Sequence, residues 1–230
     1  GAGGEGRLWP ELNAALVAAE FKPQHAPALP AAVQAFGPEG ARGVRSTLSR
    51  SVLGLPAATL SSPRIASGLL LALGRAGWRD GALVTRLITT LAGLNVFSFS
   101  VEVLLDSLTA LQLLDMKRHA APLLPRLAAA ATHILSADFD APRPRPGMTP
   151  LQLLAVLSAL YSLDTPAAAL DVTLAAAHKT LPLLEIQPSD CPELMGIADL
   201  LEKMGQSKEA QEWRTAAAQN SLITKISALG

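Results

Sequence analysis

The sequence predicts an all-α protein, an α-solenoid of about four to five stacked helical hairpins with a period of about 38 residues. Three segments share one register, since each opens at a hydroxyl residue, Ser62, Ser100 or Thr149, and then places leucines at matching offsets. The second interval is longer than the first because it contains an insertion rich in proline and arginine, 138–148, and the two intervals are equal without it. A fixed period of this size is typical of stacked supersecondary units.

Within each segment the apolar residues step by three and four, which indicates helices rather than strands. A single hairpin cannot bury such a face alone, so we expect these leucines to be covered by neighbouring hairpins. Each segment also has an Ala-Leu pair at the same offset, namely Ala72-Leu73, Ala110-Leu111 and Ala159-Leu160.

The residues ahead of the array do not follow its register. Residues 1–6 are predicted to be a disordered terminus or an engineered remnant, and no methionine opens the chain, so a targeting peptide is not visible in it. Residues 7–60 are predicted to form degenerate helical units. These comprise a helix from Leu8 to Phe21, a proline-broken stretch over 22–30 and a helix from about Pro38 to Leu53.

The array spans 61–230, and its helix pairs are predicted at 62–93, 100–137, 149–182 and 190–229. Ser62-Pro63 and Thr149-Pro150 mark helix starts, because an oxygen side chain accepts a free N–H of the first turn and proline has none to satisfy. The pair from about 190 is weaker in register and more polar, which predicts a C-terminal cap. Turn chemistry marks the joints at Gly77-Trp78, Asp115-Met116 and Asp164-Thr165-Pro166.

Composition favours a folded protein of a reducing compartment with no membrane span. Half of the chain is apolar, which is enough for a sizeable core, and the single cysteine, Cys191, excludes an internal disulfide. The longest uncharged run, 146–163, contains two prolines and a glycine and keeps a helical period, so it predicts a buried helix.

No catalytic, cofactor or metal-binding signature is present, so we expect a non-enzyme with no small-molecule substrate. The run GAGGEG at 1–6 matches G-x-G-x-x-G, but no strand precedes it, and the glycine cluster at 37–43 lacks the Gly-Lys-Ser/Thr of a P-loop. The four histidines, His25, His119, His133 and His178, are isolated in the sequence, and no pair has the i, i+4 spacing of metal ligands on one helix.

The net charge is zero, yet it is unevenly placed along the chain. Residues 1–100 hold nine Lys/Arg against five Asp/Glu, and residues 101–230 hold ten against fourteen. Phosphate contacts need cations, so any RNA contact is predicted to come from the first half and from the insertion. Solvated helix faces are the alternative interpretation of these charges. The candidate RNA contacts are Arg42, Arg45, Arg50, Arg75, Arg79, Arg86, Arg143 and Arg145.

A modular base-reading code would repeat particular side chains at particular offsets, as one-base-per-unit helical repeats do. The positions equivalent to Arg75 in the later segments are Leu113 and Ser162, so no such code is present. Aromatic platforms for base stacking are few as well, with three Trp, one Tyr and five Phe in the chain.

The pattern Ser/Thr-x₇-L-x-A-L-x-x-L and the segments 87–115 (LITTLAGLNVFSFSVEVLLDSLTALQLLD) and 148–164 (MTPLQLLAVLSALYSLD) resemble a known group of helical repeats. These are the octotricopeptide repeats of algae and the related repeats of RAP-domain and FAST-kinase-like mitochondrial proteins. The resemblance covers roughly residues 61–182. It implies a location in the mitochondrial matrix and a similarity to lineage-specific subunits of mitochondrial ribosomes.

Two function classes follow. The resemblance and the basic first half predict a non-catalytic structural subunit of a mitochondrial ribonucleoprotein, above all the mitochondrial ribosome, in contact with ribosomal RNA and neighbouring proteins. The balanced net charge favours the alternative, a protein-only α-solenoid scaffold or accessory subunit of another mitochondrial complex. The two differ in whether the arginines of residues 42–86 share one surface.

Overall fold

The structure, a computed structural model, describes residues 23–36, 42–136, 147–184 and 186–227, which contain helices and turns but no strand. The prediction of an all-α protein is therefore confirmed. Short 3₁₀ turns lie at Pro23–Ala28, Val96–Ser98, Leu181–Leu183 and Pro188–Asp190. The α-helices of the described ranges are α1 (Leu29–Phe36), α2 (Arg42–Gly54), α3 (Ala57–Leu60), α4 (Pro63–Arg75), α5 (Gly81–Gly93), α6 (Val101–Leu114), α7 (Lys117–Ala120), α8 (Leu124–Ser136), α9 (Pro150–Ser162), α10 (Ala167–Thr180), α11 (Cys191–Lys203) and α12 (Ser207–Ser227).

The chain divides into two compact units, Gly1–Leu123 and Leu124–Gly230. The boundary falls between α7 and α8, inside the segment 100–137 that the sequence predicts as one hairpin. Prolines at 122 and 125 surround this boundary, and proline cannot donate a helical hydrogen bond, so the second arm of that hairpin is split into two helices. The sequence pattern does not predict this division.

In the first unit, α4 is the central helix. It packs against α1 on one side and α6 on the other, and α5 packs on it from a second layer that also contains α2 and α7. The contact with α6 depends on Gly74, because a Cβ there would lie 3.1 Å from the Cβ of Leu113. The inward leucines of α4, Leu70 and Leu73, are fully buried.

In the second unit, the same two-layer arrangement appears in the packing of α9 on α11 and of α8 on α10. The last helix, α12, packs on α11 and buries Trp213. On the outer side of this pair, Arg214 of α12 bonds Asp199 at 3.2 Å and Glu202 at 3.1 Å, both on α11.

The four hairpins begin and turn at corresponding residues. Ser100 and Thr149 accept N–H groups of their own first turns, from Val103 and Gln152, whereas the N-cap residue Ser62 makes no such bond. At one constant spacing after each N-cap residue (Ser62, Ser100, Thr149 and Asp190), the backbone is left-handed, at Gly77, Asp115, Asp164 and Gly205. The three joints and the two proline-marked helix starts predicted from the sequence are confirmed.

One leucine in each hairpin connects the turn to the core. Leu73, Leu111, Leu160 and Leu201 stand at one common offset from their N-cap residues and are all buried. In three hairpins its carbonyl also accepts the N–H that follows the left-handed residue, a Schellman closure. These bonds run from Trp78 to Leu73 (2.9 Å), from Thr165 to Leu160 (3.1 Å) and from Gln206 to Leu201 (2.9 Å).

The predictions for the segment 1–60 have different outcomes: one is wrong, one corresponds to an observed helix, and the others lie outside the described residues. The stretch 22–30 is helical from residue 23, as a 3₁₀ turn that passes into α1 at Leu29, so the predicted proline break is wrong there. The helix predicted from Pro38 to Leu53 corresponds to α2. The predicted helix 8–21, the terminus 1–6 and residues 138–146 of the insertion lie outside the described residues.

We expect Leu111→Ala and Leu160→Ala each to lower the free energy of unfolding by about 2–5 kcal/mol, because each removes a fully buried side chain. Leu151 lies on the same helix as Leu160 but is 61% exposed, so Leu151→Ala should stay within about 0.5 kcal/mol of the parent protein. Urea unfolding followed by circular dichroism measures all three. Equal losses for Leu151 and Leu160 would mean that the buried face of α9 is wrongly assigned.

Gly77→Ala should lower the free energy of unfolding by about 1–2 kcal/mol through backbone strain alone. Gly77 has a φ of +63°, and an added Cβ would meet no atom within 4 Å. Gly93 at the end of α5 is equally open but has no positive φ, so Gly93→Ala should be neutral or stabilising by up to about 1 kcal/mol. The same unfolding measurement tests the pair, and a neutral Gly77→Ala would contradict the left-handed turn.

Candidate nucleic-acid interface

The positive charge of the first unit is concentrated in one stretch of sequence. Residues 42–100 contain seven arginines, no lysine and a single acidic residue, Asp80. The structure separates these arginines into groups with different surroundings, and two of them line a concave surface.

Helix α2 supplies the first wall of that surface. Arg45, Ser46 and Ser49 follow one another at helical spacing, so they lie on one flank of α2. Beside this flank, the buried residues Leu48 and Val52 pack α2 into the unit. Arg50 is exposed on α2 but does not belong to the concave surface.

The turn between α4 and α5 supplies the second wall. After the left-handed Gly77, the chain runs through Trp78 and Arg79 to Asp80, the N-cap residue of α5. Trp78 is 3% exposed, whereas Arg79 is exposed to solvent. The carboxylate of Asp80 accepts the N–H of Leu83 at 3.1 Å, which fixes the start of α5.

The two walls enclose a cleft of about 310 Å³. Across it, the guanidinium carbon of Arg45 lies 5.4 Å from the centre of the Trp78 ring, within the range of a cation–π contact. We call this surface the arginine cleft. Its lining residues are Arg45, Ser46, Ser49, Trp78, Arg79 and Asp80.

Trp78 has an additional role in the cleft. Its indole Nε1–H is buried and has no hydrogen-bond partner among the described residues. A buried donor without a partner costs about 1–3 kcal/mol. The ring therefore occupies this position for its packing and its face toward Arg45, not for a polar contact that stabilises the fold.

Arg86 has a different environment from the cleft arginines. It is half-buried on α5 and donates hydrogen bonds to the carbonyl oxygens of Leu53 and, at 2.6 Å, Leu55, where α2 ends. These carbonyls lack helical partners, so Arg86 caps α2 and ties it to α5. We assign Arg86 a structural role, although the sequence alone predicts it as an RNA contact.

Arg75 is also separated from the cleft. It ends α4 on the side facing α6, where its charge attracts Asp106. Burial raises the pKa of Asp106, Glu102 raises it further, and Arg75 and Arg64 oppose that rise. Arg75 thus favours the charged form of the partly buried Asp106 carboxylate.

Of the candidate RNA contacts whose side chains the structure describes, Arg45 and Arg79 line this common cleft. Arg42 is the first residue of α2, and Arg50, Arg75 and Arg86 lie elsewhere, as described above. Arg143 and Arg145 lie outside the described residues. Trp78, Ser46 and Ser49 also line the cleft, and the sequence pattern does not indicate them, because their proximity depends on the packing of α2 against α5.

The second unit has a larger and more apolar depression, of about 810 Å³, between the end of α10 and α12. Leu181, Pro182, Leu184 and Ile186 form much of its wall. At its edge, Nε2 of His178 lies 3.1 Å from a carboxylate oxygen of Glu212. We call this surface the apolar groove. Nothing in the sequence pattern predicts it, because residues 181–186 lie between two recognisable helices.

No family model, curated protein or solved structure matches this chain. Within the described ranges, no three His, Cys, Asp or Glu side chains are grouped to hold a metal ion. The helices described there include none that is both long enough and apolar enough to cross a bilayer.

We expect Arg86→Gln to lower the free energy of unfolding by about 1–3 kcal/mol, because it leaves the carbonyls at the end of α2 without their charged donor. Arg79→Gln is the matched control, since Arg79 is exposed and should change stability by no more than about 0.5 kcal/mol. Thermal or urea unfolding separates the two. Equal effects would contradict the division into structural and surface arginines.

Proposed function

We propose that this chain is a non-catalytic structural subunit of a mitochondrial ribonucleoprotein, with the mitochondrial ribosome as the first candidate assembly. One observation carries the proposal: Arg45 and Arg79, which are distant in sequence, line a single cleft in the arginine-rich part of the chain, whereas Arg50, Arg75 and Arg86 lie outside it and do not add to it. Phosphate contacts need such convergent cations, and a neutral protein can supply them locally. Ribosomal RNA is the proposed partner of the first unit.

We also propose that the fold is an α-solenoid of repeated hairpins. Its period of about 38 residues is typical of helical repeats. The common spacing from N-cap residue to left-handed residue in four hairpins supports a repeat. So does the two-layer packing within each unit. Helical repeats commonly present extended binding surfaces, which suits a structural subunit of a large assembly.

The mitochondrial location depends on the resemblance of residues 61–182 to octotricopeptide and FAST-kinase-like repeats. The single cysteine, half-buried Cys191, is compatible with a reducing matrix. Direct imaging of the tagged protein in its own cells tests this part separately from RNA contact.

A protein-only scaffold is the second candidate, and the apolar groove favours it. Its wall of leucine, proline and isoleucine resembles the core of a protein interface more than an RNA-binding surface. The second unit also belongs to the acidic part of the chain, where residues 101–230 hold ten Lys/Arg against fourteen Asp/Glu. The two candidates make opposite predictions about co-purifying RNA.

The test is purification of the tagged protein from its organelle after ultraviolet crosslinking, with RNA and protein partners identified together. The ribonucleoprotein proposal predicts crosslinked ribosomal RNA and co-migration with a ribosomal subunit. Replacing Arg45 and Arg79 by Glu should abolish the crosslink, because reversed charges repel phosphate. Circular dichroism should still show the helical fold, since Arg79 is exposed and Arg45 is only half-buried.

The matched control reverses two exposed cations of the second unit, Lys203 and Lys208, which changes the net charge by the same amount. This control should still crosslink to RNA. Protein partners without RNA for the parent chain would favour the scaffold. If the arginine variant crosslinks as strongly as the parent chain, the first unit does not make the proposed RNA contact.

A further inference from the structure

We propose that the arginine cleft binds one phosphodiester of single-stranded RNA and does not read the base. This inference rests on the proposed function and adds to it the chemical group that the site recognises. A cleft of about 310 Å³ lies at the lower end of the range for ligand pockets, roughly 300–1,000 Å³. It offers room for a phosphate and part of its sugar rather than for a stack of bases.

The donors of the cleft suit a phosphate. Arg45 and Arg79 stand on separate elements, α2 and the α4–α5 turn, so two guanidinium groups can approach one group from different sides. Guanidinium groups bind phosphate oxygens through paired N–H donors, with more geometric definition than lysine. Ser46 and Ser49 also line the α2 wall, so the surface beside the arginines is polar.

The burial of the Trp78 ring argues against recognition of the base. Base recognition by stacking requires an exposed aromatic face, and Trp78 is only 3% exposed. Its ring is instead occupied by the guanidinium of Arg45 at 5.4 Å. The aromatic residue of the cleft therefore orients an arginine, and the arginine contacts the backbone of the nucleic acid.

Asp80 is the one acidic group among the described residues that line the cleft, and it has its own partner. A carboxylate oxygen accepts the N–H of Leu83 at the start of α5, where the positive end of the helix dipole also offsets its charge. Among the described lining residues, two arginines stand against this capped carboxylate, and their formal charges sum to +1. One phosphodiester carries the opposite charge.

Fluorescence anisotropy with labelled U20 and A20 oligoribonucleotides, repeated over a series of salt concentrations, tests the inference. The parent chain should bind both with similar affinity. Arg45→Gln and Arg79→Gln should each weaken both complexes to the same degree and reduce the slope of log affinity against log salt by about 1. Arg45→Lys should keep the slope yet lose affinity, because lysine keeps the charge but not the planar stacked group.

Arg50→Gln is the matched control, since Arg50 is on the same helix but outside the cleft, and it should bind as the parent chain does. If both cleft variants bind as the parent chain does, the assignment of phosphate binding to the cleft is wrong. The crosslinking experiment would still decide the ribonucleoprotein proposal. If a variant loses affinity for only one of the two oligonucleotides, the cleft does recognise the base. If the parent chain binds inorganic tripolyphosphate but neither oligonucleotide, the site is not an RNA site; binding to none of the three overturns it altogether.

Discussion

The reversal of the chain at a left-handed residue is the constraint on which the rest of the structure depends. In three hairpins, the leucine that fills the core also accepts the hydrogen bond that closes the turn, so core packing and chain direction are set by the same residue. In the first of these hairpins, the donor of that bond is Trp78. The closure therefore fixes the backbone that brings Trp78 and Arg79 to the cleft, so the turn of this hairpin sets the geometry of that wall.

Arginines that look alike in the sequence have three different roles. Arg86 caps the end of α2, Arg75 compensates the partly buried Asp106, and Arg79 projects into solvent beside the cleft. The first role also supports the third, because Arg86 holds α2 against α5 and so sets the distance between the two walls. A guanidinium with five donors can satisfy carbonyls in one place and remain available for phosphate in another.

The sequence predicts what local chemistry determines. A hydroxyl residue before proline marks Ser62 and Thr149 as helix starts, and glycine or aspartate at the joints marks the left-handed residues, because these signals act within a few residues. The cleft is not predicted, since Arg45 and Trp78 are separated by a whole hairpin arm and approach only through packing. Division into two units is missed because it depends on contacts between helices, although Pro122 and Pro125 mark the place where the hairpin arm is split.

Zero net charge is often taken to argue against RNA contact, but the placement of charge matters more than its sum. At physiological ionic strength, charges act over a Debye length of about 8 Å, so a phosphate in the cleft interacts chiefly with the side chains that line it. The acidic excess of residues 101–230 belongs largely to other helices. A neutral chain with segregated charge can thus hold RNA weakly at one point and rely on protein contacts for the rest of its affinity. That division of labour suits a subunit held in an assembly, because many modest contacts act together at high effective concentration.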